Sequence, residues 1–417
     1  MENMALLKNS QFNRTIAFLF VISCFVPASL HIDFYGLRLE FYRFLLIIFM
    51  LSNLGVIFKS VDNKENRLLA LFCLLAALSY ILNNGLSYIV SGIILFLEVY
   101  VVFILARYCF ENSYLQYKLI KLVGVIFIFL VPFALKEAND GIRTLQLLGA
   151  QISGTETSSY LGDNYFRYGI HRSSTVFSHP ILYGVIAAAF IPIFMVSTKG
   201  LFRVVTVFSL LVGVVVSVSS VAFMMCAVFL VAYILKRISA YYRNIYRDFI
   251  RTGIILFFIL SILSNRGPIL FFIQTFTLNS NTAFTRYQQW QFAMDDILRN
   301  PFFGYGFGEW TRPHWLAPSI DSYWLNLTLE NGITALLIIF LFCVVVLKKM
   351  MRAYSYNRNA KIYGYIIALI SLYIAAFTVD YFDRAQIFFY FISGFSLGLL
   401  TSEHKKSLKN VNAKTVE

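Results

Sequence analysis

Residues 201–235 read LFRVVTVFSLLVGVVVSVSSVAFMMCAVFLVAYIL, a nearly continuous apolar run. A membrane-spanning helix needs about 20 mostly apolar residues, so this run is too long for a single crossing. The turn that can divide it is Ser217-Val-Ser219-Ser220. We therefore predict two membrane helices here, joined at these serines.

The whole chain has the composition of a membrane protein. Of its 417 residues 59% are hydrophobic and 13% are charged, whereas soluble domains carry about 25% charged residues. The net charge of +14 comes from 35 Lys and Arg against 21 Asp and Glu. In this class of protein such an excess marks cytoplasmic loops rather than nucleic-acid binding. The five cysteines are scattered, with no CxxC pair, and predict neither a metal site nor a disulfide framework.

Apolar runs along the chain predict an all-α polytopic membrane protein with about twelve spans. Their centres lie near residues 22, 49, 75, 96, 127, 188, 209, 228, 257, 336, 370 and 393. Lys and Arg cluster in alternate connections, which places both termini in the cytoplasm. A single span over 201–235 would invert every later loop, so the charge alternation supports the division at the serines.

The predicted spans divide the chain into six parts. They are helices 1–5 in residues 1–135, an external loop over 136–177, helices 6–9 in 178–264, a large external loop over 265–318, helices 10–12 in 319–402, and a cytoplasmic tail over 403–417. Loops as long as the second one are usually functional or disordered. Its aromatic residues and its own apolar repeat argue against disorder.

Both long loops carry arginines that the short external loops lack. The arginines and histidines are Arg143, Arg167, His171 and Arg172 in the first loop, and Arg266, Arg286, Arg299, Arg312 and His314 in the second. Arginine keeps its charge and presents a planar fork that matches two phosphate oxygens. A diphosphate-linked lipid is a natural ligand for such a cluster, and contact with ordinary phospholipid headgroups is the alternative. For Arg172 and Arg286, which lie in patterned stretches, we favour the diphosphate.

The large loop also shows local structure. Apolar residues recur at helical spacing from Phe284 to Leu298, which predicts an amphipathic helix at the membrane surface. The glycines between Gly304 and Gly308 permit backbone N–H groups to approach a phosphate, or form a flexible turn. Asp321 lies where the tenth span begins, and two roles are open for it. Either Asp321 or Ser319 caps that helix, or the Asp321 carboxylate positions or deprotonates a sugar hydroxyl.

Glu98 lies near the middle of the fourth predicted span. A charge at that depth is costly, so we expect Glu98 to face a polar cavity or a partner, whereas Arg43 suggests no role. Because Glu98 is nearly alone at such depth and polar residues gather in two loops, the sequence favours a surface site over a transport path.

Three stretches each resemble a separate motif. The segment from Arg172 to Pro180 resembles Arg-x-x-Gly-x-Phe-x-His-Pro, with Ser174 or Thr175 near the glycine position. The second motif, Arg-x-x-x-Trp…Pro-x-x-Gly-x-Gly, is matched by Arg286, Trp290, Pro301, Gly304 and Gly306, and the third, His-[Asn/Ser/Arg]-x9-Gly, has the spacing of Asp321-Ser322, nine residues and Gly332. In these motifs the chain resembles the O-antigen ligase and polymerase superfamily of bacterial inner-membrane glycosyltransferases.

The resemblance implies a GT-C-like fold and a transfer that needs no metal or cofactor. In ligases of this superfamily a histidine stands where this chain has Asp321, so the chain is more similar to the Wzy-type O-antigen polymerases. The implied reaction moves a glycan from one undecaprenyl diphosphate to a repeat unit on another, at the periplasmic face of the inner membrane. The alternatives are an O-antigen ligase of the same superfamily and a flippase or other transporter of lipid-linked oligosaccharides.

On the polymerase hypothesis Arg172 and Arg286 bind the departing diphosphate and Asp321 engages the acceptor. The further candidates for substrate binding are Arg167, Arg266, His179, Arg312, His314 and Tyr323. The expected partners are the lipid-linked donor and acceptor, membrane lipid, a chain-length regulator and a flippase, with no nucleic acid.

Overall fold

Long apolar segments of this chain form helices, because a backbone in lipid must satisfy its polar groups within its own segment or in a closed barrel. The computed structural model describes residues 11–34, 37–158, 165–242, 244–263 and 280–414. The helices in these residues are α1 (Gln11–Ser23), α2 (Phe41–Ser52), α3 (Leu54–Lys59), α4 (Lys64–Asn84), α5 (Ile89–Phe96), α6 (Val102–Cys109), α7 (Ser113–Asp140), α8 (Thr144–Ser153), α9 (Pro180–Ser197), α10 (Gly200–Ser217), α11 (Ser220–Ile238), α12 (Ile245–Leu263), α13 (Ser280–Arg299), α14 (Tyr323–Asn357), α15 (Ala360–Ala375) and α16 (Arg384–Lys414).

The β-strands within the described residues form two short antiparallel hairpins. One pairs β1 (His31–Phe34) with β2 (Leu37–Glu40). The other pairs β3 (Phe166–Arg167) with β4 (Ile170–His171) and stands just before the segment that carries Arg172. The chain is therefore helical throughout its spans, as its sequence predicts.

Eight of the described helical segments are long and apolar enough to cross a membrane, or nine if the bent pair α2 and α3 is one span. They are α4, the segment Leu86–Cys109, α7, α9, α10, α11, α14 and Arg384–Ser402. Each of the twelve centres predicted from the sequence falls inside a described helix, and α10 and α11 meet at the predicted serine turn. The protein is a helical multi-pass membrane protein, and a count of twelve spans stays a prediction.

Helix α9 and helix α16 lie in the interior of the bundle. Helix α9 packs against α10, α11 and α15, and α16 packs along α6. At one end of the bundle, the segment before α9, the segment before α14 and the connection between α15 and α16 come together. Tyr323 N–H donates to the carbonyl of Val379 at 3.0 Å, and the Ser178 hydroxyl donates to Asp383 at 2.9 Å. This end of the bundle carries the predicted site residues Arg172 and Asp321.

Helix α14 is broken at Gly332, where φ is 82° and ψ is 170°. In an unbroken helix the carbonyls of residues 329 and 330 would accept from residues 333 and 334. Here the N–H groups of Tyr305 and Gly306 donate to Leu329 and Glu330, at 2.7 and 2.9 Å. The N–H of Ile333 donates instead to the carbonyl of Pro301 at 2.7 Å.

The glycine stretch from Gly304 to Gly308 therefore fills the break in α14. All five of its N–H groups donate within the chain; the acceptors are the carbonyls of Asn300, Leu329, Glu330 and Tyr305, and the side-chain oxygen of Asn84. These N–H groups are thus engaged within the chain, so the interpretation that they bind a phosphate is wrong, whereas the alternative, a turn, is present over residues 301–307. The physical reason lies in the tertiary structure, because the break in α14 leaves backbone carbonyls that need hydrogen-bond donors, and the N–H groups of the stretch supply them.

Candidate functional site

Glu137, near the end of α7, holds the segment that carries Arg172. Its two carboxylate oxygens accept the backbone N–H groups of Ser174 and Thr175, at 3.1 and 2.8 Å. The hydroxyls of Ser173 and Ser174 also donate to it, at 3.1 and 2.9 Å. A buried carboxylate needs such donors, and in return it fixes the backbone beside Arg172.

Thr175 adopts φ 51°, in the left-handed region that side chains with a branched Cβ rarely occupy. Thr175 is also the position at which the resembled motif has glycine. The conformation gives a physical reason for glycine there, because glycine adopts this φ without a steric cost.

The Arg172 side chain is buried, and its Nε donates to the carbonyl of Ser217 at 3.0 Å. Its pKa is lowered to about 10, chiefly by burial, with contributions from the positive charges of Arg167 and Arg286. Arg172 therefore stays charged at neutral pH while it lies within the electrostatic reach of two other guanidinium groups. Such a cluster of like charges is stabilised by an anion.

Arg286 lies on α13, the helix that the sequence predicted, and its side chain is buried with Ala293 and Ile297. Its Nε is 3.4 Å from Oδ2 of Asp321, an ion pair. Among the described residues, that Nε has no hydrogen-bond acceptor of good geometry. Burial lowers the pKa of Arg286, and Asp321 opposes this shift.

Gln289 positions Asp321 against the same face of α13. Its amide oxygen accepts the N–H of Asp321 at 3.0 Å, and its amide nitrogen donates to the carbonyl of Ser319 at 2.9 Å. Gln289 is three residues after Arg286, so both project from one face of the helix. In the sequence analysis this residue had no role beyond a polar position on the helix.

The cap of α14 is Ser322, whose hydroxyl accepts the N–H of Leu325 at 3.4 Å. The expectation that Ser319 or Asp321 caps this helix is therefore wrong, because Ser322 occupies the capping position. The Asp321 carboxylate, which is 39% exposed, faces Arg286 instead.

A second set of polar groups lies beside Asp321. The Asn326 amide donates to Glu330 at 3.1 Å and to Asp380 at 3.4 Å, so it bridges the two carboxyl groups. The Tyr80 hydroxyl donates to Glu330 at 3.4 Å. The pKa of Asp380 is raised to about 7, chiefly by burial, with a contribution from the negative charge of Asp321.

The sequence analysis missed both Asp380 and Glu330 as site residues. A weak signal exists for Glu330, which follows Asn326 by four residues at the start of an apolar helix. Asp380 lies in a short connection between two spans, and the sequence distinguishes that connection from other loops only by its lack of lysines.

These groups line a cavity of about 290 Å³ that reaches into the bundle. Four carboxyl groups line it, from Glu98, Glu330, Asp380 and Asp383. Among the described lining residues there is no Lys, Arg or His. The site thus has a basic part around Arg286 and an acidic cavity, and Asp321 connects the two electrostatically.

Glu98 lies in the π-helical turn Leu97–Val101 between α5 and α6, a type of distortion frequent at functional sites. Its carboxylate pairs with Arg43 Nε at 2.8 Å and accepts from the Tyr42 hydroxyl at 3.0 Å. The expectation that Glu98 faces a cavity or a partner is confirmed on both counts. Arg43, to which the sequence analysis assigned no role, is that partner.

No protein-family model matches this chain, and no curated protein matches it either. The resemblance to the ligase and polymerase superfamily therefore stays an expectation that rests on the three motifs. Within the described residues, no group of three or more His, Cys, Asp or Glu side chains could hold a metal ion.

The other predicted binding residues lie in different settings. His179 caps α9, with its Nδ1 accepting the N–H of Ile181 at 3.1 Å. Tyr323 is buried, shares a hydroxyl contact of 2.7 Å with Tyr390 and lines the cavity. The remaining candidates are Arg167, half-buried on β3; Arg312, 3.4 Å from Glu309; His314, exposed; and Arg266, outside the described residues.

Proposed function

We propose that this protein is a glycosyltransferase of the Wzy type, which joins undecaprenyl-diphosphate-linked repeat units into a polysaccharide. The observation that carries the proposal is the ion pair of buried Arg286 with Asp321, within electrostatic reach of the buried Arg172 cluster. Buried guanidinium groups suit a diphosphate, and an adjacent set of carboxyl groups suits sugar hydroxyls.

The chemistry needs little beyond this arrangement. A diphosphate is a good leaving group, so the protein must stabilise the charge that develops on it and align the acceptor hydroxyl. On this proposal Arg172 and Arg286 stabilise that charge, with Arg167 in support. Asp321 orients Arg286 through the ion pair and stands between the leaving group and the acidic cavity.

The location of the site supports the same proposal. Arg172, Asp321 and Asp380 lie on connections at one end of the bundle, where a lipid-linked diphosphate would stand at the level of the headgroups. On this proposal this end faces the periplasm, on the outer side of a bacterial inner membrane, and the charge alternation along the sequence supports that orientation. The proposed function also implies a GT-C-like fold for this chain.

Two other functions are weaker candidates. An O-antigen ligase would use the same donor, and the presence of Asp321 where those ligases have histidine favours the polymerase. A transporter needs polar groups along a path through the membrane. Here Arg43 neutralises Glu98, and the remaining site residues gather near the ends of the helices.

The test is the surface polysaccharide of a strain that lacks this protein, complemented with variants. The wild-type chain should restore a ladder of long polymers, whereas Arg172→Ala and Arg286→Ala should leave a single repeat unit. Arg299→Ala is the matched control, because Arg299 lies exposed on the same helix, α13. Membrane amounts of each variant are measured in parallel.

Three results separate the alternatives. A deletion strain that carries no repeat unit on its lipid core indicates a ligase. Loss of both polymer and periplasmic repeat units indicates a transporter. A ladder of normal length from Arg286→Ala contradicts the assigned role of Arg286 in polymerisation.

A further inference from the structure

The acidic cavity has the chemistry of a sugar site. Phe307 stacks on Tyr80, with ring centroids 4.4 Å apart, and both residues line the cavity. Small-molecule sites combine aromatic walls with a few polar groups that fix orientation. Carboxylates and amides accept and donate hydrogen bonds to hydroxyls, and this cavity offers Asn326, Glu330 and Asp380.

The size and charge of the cavity fit a single sugar rather than the diphosphate. Its volume of about 290 Å³ is near the lower end of the roughly 300–1,000 Å³ typical of ligand pockets. Its carboxyl groups would repel a phosphate, which is drawn to Arg172 and Arg286 instead. The acidic cavity therefore suits the sugar, and the basic part of the site suits the diphosphate.

Most carboxyl groups near the cavity already have firm partners. Glu98 is paired with Arg43, and Asp321 is paired with Arg286. Asp383 accepts from Ser178 at 2.9 Å, and Glu330 accepts from both Tyr80 and Asn326.

Asp380 differs from these carboxyl groups. Like Glu330 it makes no salt bridge with any described residue, and its hydrogen-bond partners are the Asn326 amide, 3.4 Å from Oδ2, and the backbone of Tyr381. Unlike Glu98 and Glu330, which lie within helical spans, it lies on the connection between α15 and α16, where it lines the cavity within electrostatic reach of Asp321. Of the cavity carboxyls, it is the one best placed to exchange a proton with a bound hydroxyl.

We propose that the cavity binds the acceptor sugar and that Asp380 removes the proton from its attacking hydroxyl. This inference rests on the proposed function. The acceptor oxygen forms a bond to the anomeric carbon of the donor, while the bond from that carbon to the diphosphate oxygen breaks. The electron pair leaves with the diphosphate toward Arg172 and Arg286, and the hydroxyl proton passes to the Asp380 carboxylate.

The elevated pKa of Asp380, about 7, suits a general base at neutral pH. Below this value the carboxyl group is protonated and cannot accept the proton. The transfer rate should therefore rise with pH through the region around 7. The other titratable groups that face the cavity or Asp380 are Glu98, Glu330, Asp383, Tyr80, Tyr323, Tyr381 and Asp321.

The experiment uses the full-length protein in lipid nanodiscs with the purified lipid-linked repeat unit of its own strain. Asp380→Asn keeps the shape of the side chain and removes the base. We expect the rate of polymerisation to fall about 100- to 10,000-fold, with binding of undecaprenyl diphosphate unchanged. Asp380→Glu should recover part of the rate, and Asp295→Asn, on the exposed side of α13, should keep the wild-type rate.

The pH profile distinguishes a base from a merely structural residue. The wild-type rate should rise through about pH 7, the residual rate of Asp380→Asn should be flat there, and the Asp380→Glu profile should rise at a shifted pH. Polymerisation by Asp380→Asn at the wild-type rate would overturn the role of Asp380 and leave the proposed function standing. A wild-type protein that binds the donor and forms no polymer contradicts the proposed function, and this inference with it.

If Asp380→Asn does not fold, the dependence of the Asp380→Glu polymerisation rate on pH tests the role of Asp380 by itself. A profile identical to that of the wild type contradicts the assignment, and a displaced one supports it.

Discussion

Gly332 and Phe302 meet backbone to backbone, and a side chain on Gly332 would overlap the carbonyl group of Phe302. This contact joins the glycine stretch to the break in α14. Because the first part of α14 carries Asn326 and Glu330 and begins beside Asp321, the contact fixes the acidic half of the site relative to α13. The site therefore depends on a junction that contains no catalytic group.

Gly332→Ala should destabilise the protein strongly. The substitution adds a Cβ that overlaps backbone atoms and imposes a cost at φ 82°, so we expect a loss of at least about 3 kcal/mol in the free energy of unfolding. Thermal unfolding in detergent measures the effect. Gly253→Ala is the control, because its Cβ meets open space on a helix, and it should raise stability by about 0.5–1 kcal/mol. Equal melting temperatures for the two variants would contradict this account.

Arg43→Met should also be costly, because it leaves the buried Glu98 carboxylate without its cation. The loss of one partner of a buried pair costs about 3–5 kcal/mol. The double variant Arg43→Met with Glu98→Gln should recover most of that stability, since neither charge remains. Chemical unfolding of the wild type, both single variants and the double variant completes the cycle. Additive losses would show that the 2.8 Å contact contributes little.

Glu137→Gln should lower activity through Arg172. The amide keeps one acceptor oxygen, so at least one of the N–H groups of Ser174 and Thr175 loses its partner, at a cost of about 1–3 kcal/mol. The segment that carries Arg172 then loses its fixed geometry, and shorter polymers should result. The control is Glu309→Gln, since the Glu309 side chain is 86% exposed. A full-length ladder from Glu137→Gln, with unchanged thermal stability, would refute the anchoring role.

The sequence predicted the features that depend on neighbouring residues. The length of an apolar run sets a span, so every predicted centre lies in a helix and the turn at Ser217–Ser220 is correct. The spacing in residues 284–298 predicted α13 for the same reason. The buried face of that helix carries Arg286, which the sequence singled out by its motif.

Features built from distant segments were not visible in the sequence. Arg43 and Glu98 are 55 positions apart, and no local pattern links them. The environment of Asp380 includes a hydrogen bond from Asn326 and the negative charge of Asp321, and only the packing of the helices brings these two residues near it. The glycine stretch had the composition of a phosphate loop, and the break at Gly332, on another element, decided the partners of its N–H groups.

His179 should make stability depend on pH. Its pKa is lowered from 6.5 to about 4, chiefly by burial, with contributions from the charges of Arg172, Arg143 and Arg167. The folded state thus disfavours the protonated ring. Stability should be complete above about pH 6.5 and fall as the pH drops toward 4, by at most about 3 kcal/mol.

His179→Asn isolates this effect, because asparagine can still cap α9 and does not titrate. We expect the wild type to lose melting temperature between pH 7 and pH 5 by more than the variant does, with similar values for both at pH 7.5. Differential scanning fluorimetry across this range measures the difference. If both proteins lose stability equally, the proton is taken up elsewhere, and the neutral imidazole that accepts from Ile181 is not what couples the fold to pH.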